Sequence, residues 1–293
     1  MNKNTIYQNV ELKNFNSWKV GGKAEQLLIC DDKNTLASYI KNKKIKAPIT
    51  FVGLGSNLLI RDGGIKGTVV VMHGGLSKIN RDNDLIYSEA GVSCSKLSKF
   101  TAKEGRSDSA FFAGIPGTVG GALAMNSGCY GYETWDFVQK VLMINLNGDQ
   151  IVRNKLEFEI NYRQVKSINK EESFLAAWFQ FPEGNKIEAE NKIKELLVHR
   201  KNTQPLNWPT AGSTFRNPKD KFAAKLIEDC GLKGYQIGGA QVSEKHSNFI
   251  INLGNATALD IENLIDYIQE VVLKNKKVHL QREIKIIGEP IGT

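Results

Sequence analysis

The sequence has few cysteines, and they form no paired motif. Its four cysteines (Cys30, Cys94, Cys129, Cys230) lie far apart without a Cys-x-x-Cys, and its four histidines show no metal-ligand pairing. This spacing argues against a zinc site and against a redox pair. We therefore expect reduced thiols, as is usual in the cytoplasm, and no metal site.

Long hydrophobic runs are also missing. The longest apolar candidate, Phe174 to Phe181, is the size of a strand, whereas a membrane span needs ~18 apolar residues. The stretch Met1 to Asn14 is polar and has no apolar core of a signal peptide. These absences predict a cytoplasmic protein without a membrane partner.

The positive charge is not organised for nucleic acid. The net charge is +8, but much of it is scattered lysine, and no arginine-rich stripe carries interleaved aromatic residues. We therefore expect no nucleic-acid partner, and attraction for small phosphorylated ligands fits the same charge. A non-catalytic basic module that binds nucleic acid is the alternative, which salt-sensitive DNA retention without a bound cofactor would favour.

The composition is that of a soluble globular chain, with 41% hydrophobic and 24% charged residues. A length of 293 residues indicates about two domains. Many short strands with few helices before Pro182 predict an α+β fold. We place the first region at residues 1–182, split near residue 70, a helix and linker at 183–205, and a smaller α+β domain at 206–293.

Local patterns predict the main elements. Asn147-Gly148 favours a β-hairpin between two strands, and Ser93 and Thr257 are suitable N-caps for helices. Strands are predicted at 49–52, 58–60, 68–72, 85–92, 138–145, 150–153 and 174–181, and helices at 34–44, 93–105, 186–201 and 257–275. The final strand is predicted to carry Val278, Leu280, Ile284 and Ile286 on one face and Glu283 on the other.

Two glycine-rich stretches stand out. Ala113–Ala122 reads Ala-Gly-Ile-Pro-Gly-Thr-Val-Gly-Gly-Ala, and glycines let consecutive N–H groups form a concavity for phosphate. The alternative is a buried double turn where two elements cross. Gly53–Asn57 begins like a dinucleotide fingerprint, but Leu58 and a strand follow it where that motif needs a small residue and a helix. This turn is therefore not a Rossmann loop, although it can still present N–H groups.

Three polar residues have unusual settings. Arg163 follows Asn161-Tyr162, Ser213 lies in a turn of small residues, and Glu283 lies in the predicted final strand on the face opposite the apolar residues. Their alternative interpretations are a surface or ion-paired arginine, a serine in a turn or N-cap, and a glutamate that faces water. No Gly-x-Ser-x-Gly surrounds Ser213, which argues against a hydrolase nucleophile.

The motifs together resemble one family, the UDP-N-acetylenolpyruvoylglucosamine reductases, or MurB flavoproteins of peptidoglycan synthesis. The resemblance extends from Asn16 to Gly288 with the motifs in family order. The stretches that carry it are Gly53–Ile60, Gly114–Ala122 with Met125–Gly128, Asn161–Arg163, Ala211–Pro218, Gly231–Gly234, Gly238–His246 and Glu283–Gly288.

The resemblance implies a vanillyl-alcohol-oxidase-like FAD-binding module followed by a smaller α+β substrate-binding domain. It implies non-covalent FAD, NADPH as reductant, a UDP-sugar enol ether as substrate, and a monomer. The implied FAD contacts are Gly53, Leu54, Gly55, Ser56, Asn57, Leu58, Gly114, Ile115, Pro116, Gly117, Thr118, Val119, Gly120, Gly121, Asn126 and Gly128. The implied substrate contacts are Tyr162, Arg216 and Asn217.

The resemblance also implies catalytic roles. Hydride goes to C3 of the enolpyruvyl group, Ser213 donates the proton to C2, and Arg163 and Glu283 polarise the adjoining carboxylate. Glu283 would serve best if it were protonated, because burial and a neighbouring negative charge raise the pKa of a carboxyl group.

The sequence departs from the family pattern at two places. Ser109–Phe112 replaces the commoner Leu-Glu-Phe lead-in, a difference that bears on packing at the flavin edge. The short span from Gly234 to His246 has no room for the insertion that carries a substrate-gripping tyrosine, which places the chain in the shorter, type II branch. Arg216 is then the candidate to cover the diphosphate. An oxidase built on the same flavin module is the alternative, disfavoured by the Ser213 motif and by the lack of an obvious residue for covalent flavin attachment.

Overall fold

The computed structural model of the chain describes residues 1–167 and 171–292. Its strands are β1 (Ile6–Glu11), β2 (Lys23–Ile29), β3 (Ile49–Val52), β4 (Leu58–Ile60), β5 (Ile65–Val71), β6 (Ile79–Asp82), β7 (Leu85–Glu89), β8 (Gly128–Cys129), β9 (Tyr132–Glu133), β10 (Val138–Asn145), β11 (Gln150–Asn154), β12 (Phe158–Asn161), β13 (Gln164–Ser167), β14 (Glu172–Phe179), β15 (Gln236–Ile237), β16 (Ala240–Val242), β17 (Ile250–Asn252) and β18 (Lys285–Ile287). Its α-helices are α1 (Lys33–Lys41), α2 (Cys94–Lys103), α3 (Val119–Met125), α4 (Lys186–Thr203), α5 (Ala223–Glu228) and α6 (Ala258–Lys276).

The chain forms two compact units that interleave along the sequence. The first unit contains Met1–Gln8, Gln26–Leu54 and Gly67–Arg200. The second unit contains Asn9–Glu25, Gly55–Lys66 and the chain from Lys201 onward. The domain boundaries predicted at residues 182 and 205 stay predictions, and residues 168–170 and 293 of those domains lie outside the described residues.

Two larger sheets organise the first unit. One has the order β1-β2-β5-β3, with β3 and β5 parallel, and the other has the order β11-β10-β14-β7-β6 with antiparallel neighbours. The register Ile144↔Gln150 closes the hairpin predicted at Asn147-Gly148. This confirms the hairpin, and the mixture of sheets and helices confirms the α+β class.

Aromatic side chains fill the core beside the five-stranded sheet. Phe111, Phe112 and Trp135 are almost fully buried there with residues of α2 and α3. The Trp135 indole N–H donates to the Leu123 carbonyl at 2.8 Å. Because a buried indole needs an acceptor, this bond fixes the C-terminal end of α3. Ser93 accepts from the Lys96 N–H, which confirms the predicted cap of α2.

In the second unit, α6 packs on the antiparallel sheet β15-β16-β17. Thr257 and Asp260 form a capping box at its start, so the predicted N-cap is confirmed. Leu264 is completely buried in the core of this unit, whereas Leu259 on the same helix is exposed. No helix in the described part of the chain has the length and apolar character that crossing a membrane requires.

The predicted final strand is wrong in its extent. The strand covers only Lys285–Ile287, where β18 pairs in parallel with β4, so Glu283 lies just before it. The reason is a change of backbone partner, because Arg282 forms an isolated bridge with Phe215 and the Glu283 N–H donates to the Thr214 carbonyl.

Truncating Leu264 tests the packing of α6. We expect Leu264→Ala to lower the free energy of unfolding by about 2–5 kcal/mol, because it removes buried methyl groups and leaves a cavity. Leu259→Ala, on the exposed side of the helix, should change it by no more than about 0.5 kcal/mol. Chemical denaturation of both variants measures the difference, and equal losses would contradict this packing.

Candidate active site

The turn that follows β3 offers main-chain donors. In the first unit the N–H groups of Gly53 and Leu54, and in the second unit those of Gly55, Ser56 and Asn57, have no acceptor among the described residues. Such N–H groups suit an anionic oxygen because they donate without a side chain in the way. The turn therefore has the donors that were predicted for it.

Gly55 also has a packing reason to be glycine. Its φ is +65°, and a Cβ there would overlap the Phe15 carbonyl and lie 2.6 Å from the Asn16 Cα. In addition, the Gly55 carbonyl accepts a hydrogen bond from the Ser17 N–H at 3.2 Å. Any side chain at this position is therefore strained, whatever the turn binds.

The glycines of the second stretch permit close packing. A Cβ on Gly120 would lie 2.9 Å from the Ala90 Cβ, and one on Gly114 would lie 2.9 Å from the Tyr130 ring. A Cβ on Gly53 would overlap the buried Thr118 hydroxyl. The alternative interpretation, a turn where two elements cross, accounts for these contacts.

Most amides of this second stretch are already bonded, which corrects the expectation of bare donors there. The N–H groups of Val119 and Gly120 donate to the carbonyls of Val92 and Ala90 at 2.8 and 2.9 Å, and the Gly121 N–H donates to the Thr118 hydroxyl. Earlier in the stretch, the Ile115 and Gly117 N–H groups donate to the carbonyls of Phe112 and Ile115. The glycines here therefore allow neighbouring residues to pack closely against the backbone. The FAD contacts assigned to residues 114–121 stay a prediction.

Arg163 occupies a tight turn of the first unit. It joins β12 to β13 with φ +55°, a left-handed conformation that is uncommon for a residue with a side chain. Such local strain persists only where the surroundings fix it, and it is often found at functional positions. The placement of Arg163 therefore fits a functional arginine.

The Arg163 guanidinium is held by main-chain acceptors. Its Nη1 donates to the Asn126 carbonyl at 3.1 Å, and its Nη2 donates to the Gly128 carbonyl at 2.6 Å. The Tyr162 ring lies 4.8 Å from the guanidinium carbon. The fold thus brings together four predicted site residues in this unit, namely Asn126, Gly128, Tyr162 and Arg163.

Ser213 lies on a segment that is fixed on both sides. It forms an isolated bridge with Phe249, and the next residue, Thr214, donates its N–H to the Asn248 carbonyl at 2.8 Å. The Asn248 amide also exchanges two hydrogen bonds with the Phe215 main chain. Thr214 and Phe215 are buried, so the backbone that carries the Ser213 hydroxyl is rigidly placed.

Glu283 lies beside this segment in the second unit. Its N–H donates to the Thr214 carbonyl at 2.8 Å, and its own carbonyl accepts from the Asn57 amide at 3.2 Å. The Asn57 carbonyl in turn accepts from the Lys285 N–H at 2.9 Å. Sequence patterns assigned roles to Ser213, Glu283 and Asn57 but none to Thr214, whose carbonyl joins the Ser213 segment to Glu283.

The remaining predicted substrate residues are close to this segment. The Arg216 N–H donates to the Gln281 carbonyl, and the Asn217 side-chain oxygen accepts from the Ala223 N–H at the start of α5. Although the Lys285 side chain reaches water, desolvation of its ammonium, and then the positive charge of Arg216, lowers the pKa of Lys285. Two neighbouring cations of this kind suit an anionic ligand.

No group of three or more His, Cys, Asp or Glu residues in the described ranges could hold a metal ion. The four cysteines, all within the described ranges, are free thiols. Burial raises the pKa of the Cys129 thiol, whose sulfur borders Gly114, to about 11. This thiol is therefore neutral at physiological pH, which disfavours its action as a nucleophile.

Two family models match the chain. Residues 24–153 match a model described as an FAD binding domain, and residues 204–287 match the C-terminal domain of UDP-N-acetylenolpyruvoylglucosamine reductase.

Similar proteins cover nearly the whole chain. A UDP-N-acetylenolpyruvoylglucosamine reductase of Nitrosospira multiformis is 46% identical over 95% of this chain and 87% of its own. One of Legionella pneumophila (strain Paris) is 47% identical over 97% of this chain and 94% of its own. A crystal structure of the reductase from Thermus caldophilus matches with a TM-score of 0.81 and 28% identity, covering 96% of this chain and 99% of that one.

An FAD-binding domain combined with a reductase C-terminal domain defines an FAD-dependent oxidoreductase. More particularly, the chain belongs to the UDP-N-acetylenolpyruvoylglucosamine reductase family, an enzyme family of peptidoglycan synthesis. The resemblance read from the motifs is therefore confirmed.

Substitution of Gly55 tests its packing role. We expect Gly55→Ala to lower the free energy of unfolding by about 1–3 kcal/mol more than Gly231→Ala does. The reason is that only the methyl group at position 55 would overlap neighbouring backbone atoms. Gly231 is the matched control, since it shares the left-handed conformation but has open space where its Cβ would lie. Urea unfolding of both variants measures the difference, and an equal loss would show that the crowding at Gly55 is relieved at no cost.

Proposed function

We propose that this protein is an NADPH-dependent reductase that converts UDP-N-acetylglucosamine enolpyruvate to UDP-N-acetylmuramate. The observation that carries the proposal is the series of hydrogen bonds, within the second unit, that joins the backbone beside Ser213 to the Glu283 backbone and the Glu283 carbonyl to the Asn57 side chain. These are the residues that the family motifs assign to proton donation, carboxylate polarisation and the flavin. Catalytic groups fixed by main-chain bonds are typical of an active site.

FAD fits the donors that this chain offers. The N–H groups of residues 53–57 have no acceptor within the described ranges 1–167 and 171–292, and they would hold its diphosphate. Residues 114–121, Asn126, Gly128 and Leu58 complete the proposed contacts, with no covalent attachment. When bound, FAD would supply the redox chemistry, the passage of hydride from NADPH to C3 of the substrate.

Ser213 would donate the proton. As the C3–H bond forms and the C=C π bond breaks, negative charge grows at C2, and the Ser213 hydroxyl delivers a proton there. A hydroxyl is a weak acid, but a developing carbanion is a strong base, so transfer from a held hydroxyl is feasible. Ser213 then recovers its proton from solvent, and NADPH ends as NADP⁺.

Arg163 and Glu283 would act on the substrate carboxylate, where part of the negative charge is delocalised. A guanidinium is a planar donor that matches a carboxylate and stabilises growing charge. Glu283, in its protonated form, would donate a hydrogen bond to the same group. Tyr162, which lies against Arg163, and Asn217 would complete the substrate contacts.

Arg216 would cover the substrate diphosphate in place of the tyrosine that longer family members carry. Its neighbour Lys285 supports this assignment, because two adjacent cations repel each other until an anion binds between or beside them. We further propose that the enzyme works as a monomer in the cytoplasm, without nucleic acid or membrane.

Replacing Ser213 separates the two half-reactions. Under anaerobic conditions NADPH should bleach the yellow Ser213→Ala protein as fast as wild type. Reoxidation by the enolpyruvyl sugar should be slower by about 10²–10⁴-fold, the usual contribution of a positioned acid. Stopped-flow absorbance of the flavin measures both rates.

Thr210→Val is the control, because it removes a nearby hydroxyl that donates to the Ile250 carbonyl. It should change neither rate. If both half-reactions slow equally in Ser213→Ala, the assigned role of Ser213 is wrong.

The protonation state of Glu283 predicts a pH dependence. If only the protonated carboxyl donates to the substrate, wild-type reoxidation should slow as the pH rises through the pKa of Glu283. Glu283→Gln keeps an N–H donor that does not titrate, so this limb of the pH–rate profile should disappear. A profile of the glutamine variant that matches wild type would refute the protonated glutamate.

A further inference from the structure

Glu133 lies between two groups of the proposed site in the first unit. One oxygen of its carboxylate, Oε2, accepts a hydrogen bond from the Asn126 side-chain amide at 2.6 Å. The other, Oε1, lies 3.8 Å from Nη1 of Arg163. A single carboxylate therefore contacts both the proposed polarising arginine and Asn126, one of the proposed FAD contacts.

The backbone around Glu133 aims this carboxylate. Glu133 pairs with Gly128 across the β8–β9 hairpin, and its N–H donates to the Asp136 carboxylate at 2.7 Å. Gly128 is also a main-chain acceptor for Arg163. The hairpin thus places both the Glu133 carboxylate and the Gly128 carbonyl next to the Arg163 guanidinium.

Residues outside its own turn also contact the Arg163 side chain. The left-handed φ of Arg163 is strained, and its side chain is largely buried, with 15% exposure. The Asn126 and Gly128 carbonyls bind two of its nitrogens. The Glu133 carboxylate adds a negative charge near the Arg163 Nη1 atom. The Glu133 side chain is 35% exposed, so it is partly shielded from water.

We propose that Glu133 is a positioning residue that fixes the direction of the Arg163 guanidinium through a shared contact with Asn126. This inference rests on the proposed function, in which Arg163 polarises the substrate carboxylate. Glu133 would act through Arg163 and not on the substrate itself. The competing interpretation is a loop-capping role, in which Glu133 only stabilises the end of α3 through Asn126.

Glu133→Gln separates these two roles. The amide oxygen of glutamine can still accept from Asn126, so the loop contact is kept. Its NH₂ group then faces Arg163, which replaces an attraction with two opposed donors. We expect reoxidation by the enolpyruvyl sugar to slow by about 10- to 100-fold, the scale of a small misplacement of a catalytic group.

Three further measurements on Glu133→Gln distinguish the positioning role from the loop-capping role. Flavin bleaching by NADPH and the melting temperature should stay at the wild-type values, because the loop contact survives. The Kd for the enolpyruvyl sugar, from its perturbation of the oxidised flavin spectrum, should rise. Glu133→Ala removes both contacts, so it should also lower the melting temperature.

Glu159→Gln is the matched control. Glu159 lies on the same β12–β13 hairpin as Arg163 and pairs with the exposed Lys166 at 3.4 Å. Its substitution should leave reoxidation and the Kd unchanged. A Glu133→Gln enzyme that matches this control in both readouts would overturn the proposal, as would equal slowing of both half-reactions.

Arg163→Lys distinguishes this inference from the proposed function. If the lysine variant reoxidises at the wild-type rate, the role of Arg163 itself is wrong. If that variant is slow but Glu133→Gln is not, Arg163 keeps its role and only the positioning role of Glu133 fails.

Discussion

A main-chain hydrogen bond of 2.8 Å from the Glu283 N–H to the Thr214 carbonyl holds the second unit's part of the site together. Because Thr214 follows Ser213 directly, this bond sets the backbone of the serine beside that of the glutamate. The Asn57 amide binds the Glu283 carbonyl and so attaches the glycine turn to the same frame. The bond between Glu283 and Thr214 joins main-chain atoms and so does not depend on rotamers, which suits groups that must meet one small substrate.

The two glycine-rich stretches solve different physical problems. In the turn at residues 53–57 the N–H groups bind no acceptor in the part of the chain that the structure describes, whereas in the stretch at 115–121 most of them bind neighbouring acceptors. In that second stretch glycine allows Gly120 to pack on Ala90 and Gly114 to pack on Tyr130. The same residue type thus provides donors in one place and close approach in the other.

Local signals were sufficient for much of the fold, and long-range contacts were not. The cap at Thr257 and the hairpin at Asn147-Gly148 follow from neighbouring residues alone. The availability of an N–H group depends on distant acceptors such as Ala90, so glycine content could not reveal it. For the same reason no pattern indicated Glu133, and alternation overextended the final strand because the partner of residue 283 is Thr214.

A double-mutant cycle on Ser213 and Glu283 tests the central claim that their shared backbone frame makes them one catalytic unit. Stopped-flow reoxidation rates would be compared for Ser213→Ala, Glu283→Gln and the combined variant. The account predicts a coupling of about 1 kcal/mol or more, so that the combined variant is faster than the product of the two single effects implies. Strictly multiplicative effects would show that the two residues act independently and would contradict it.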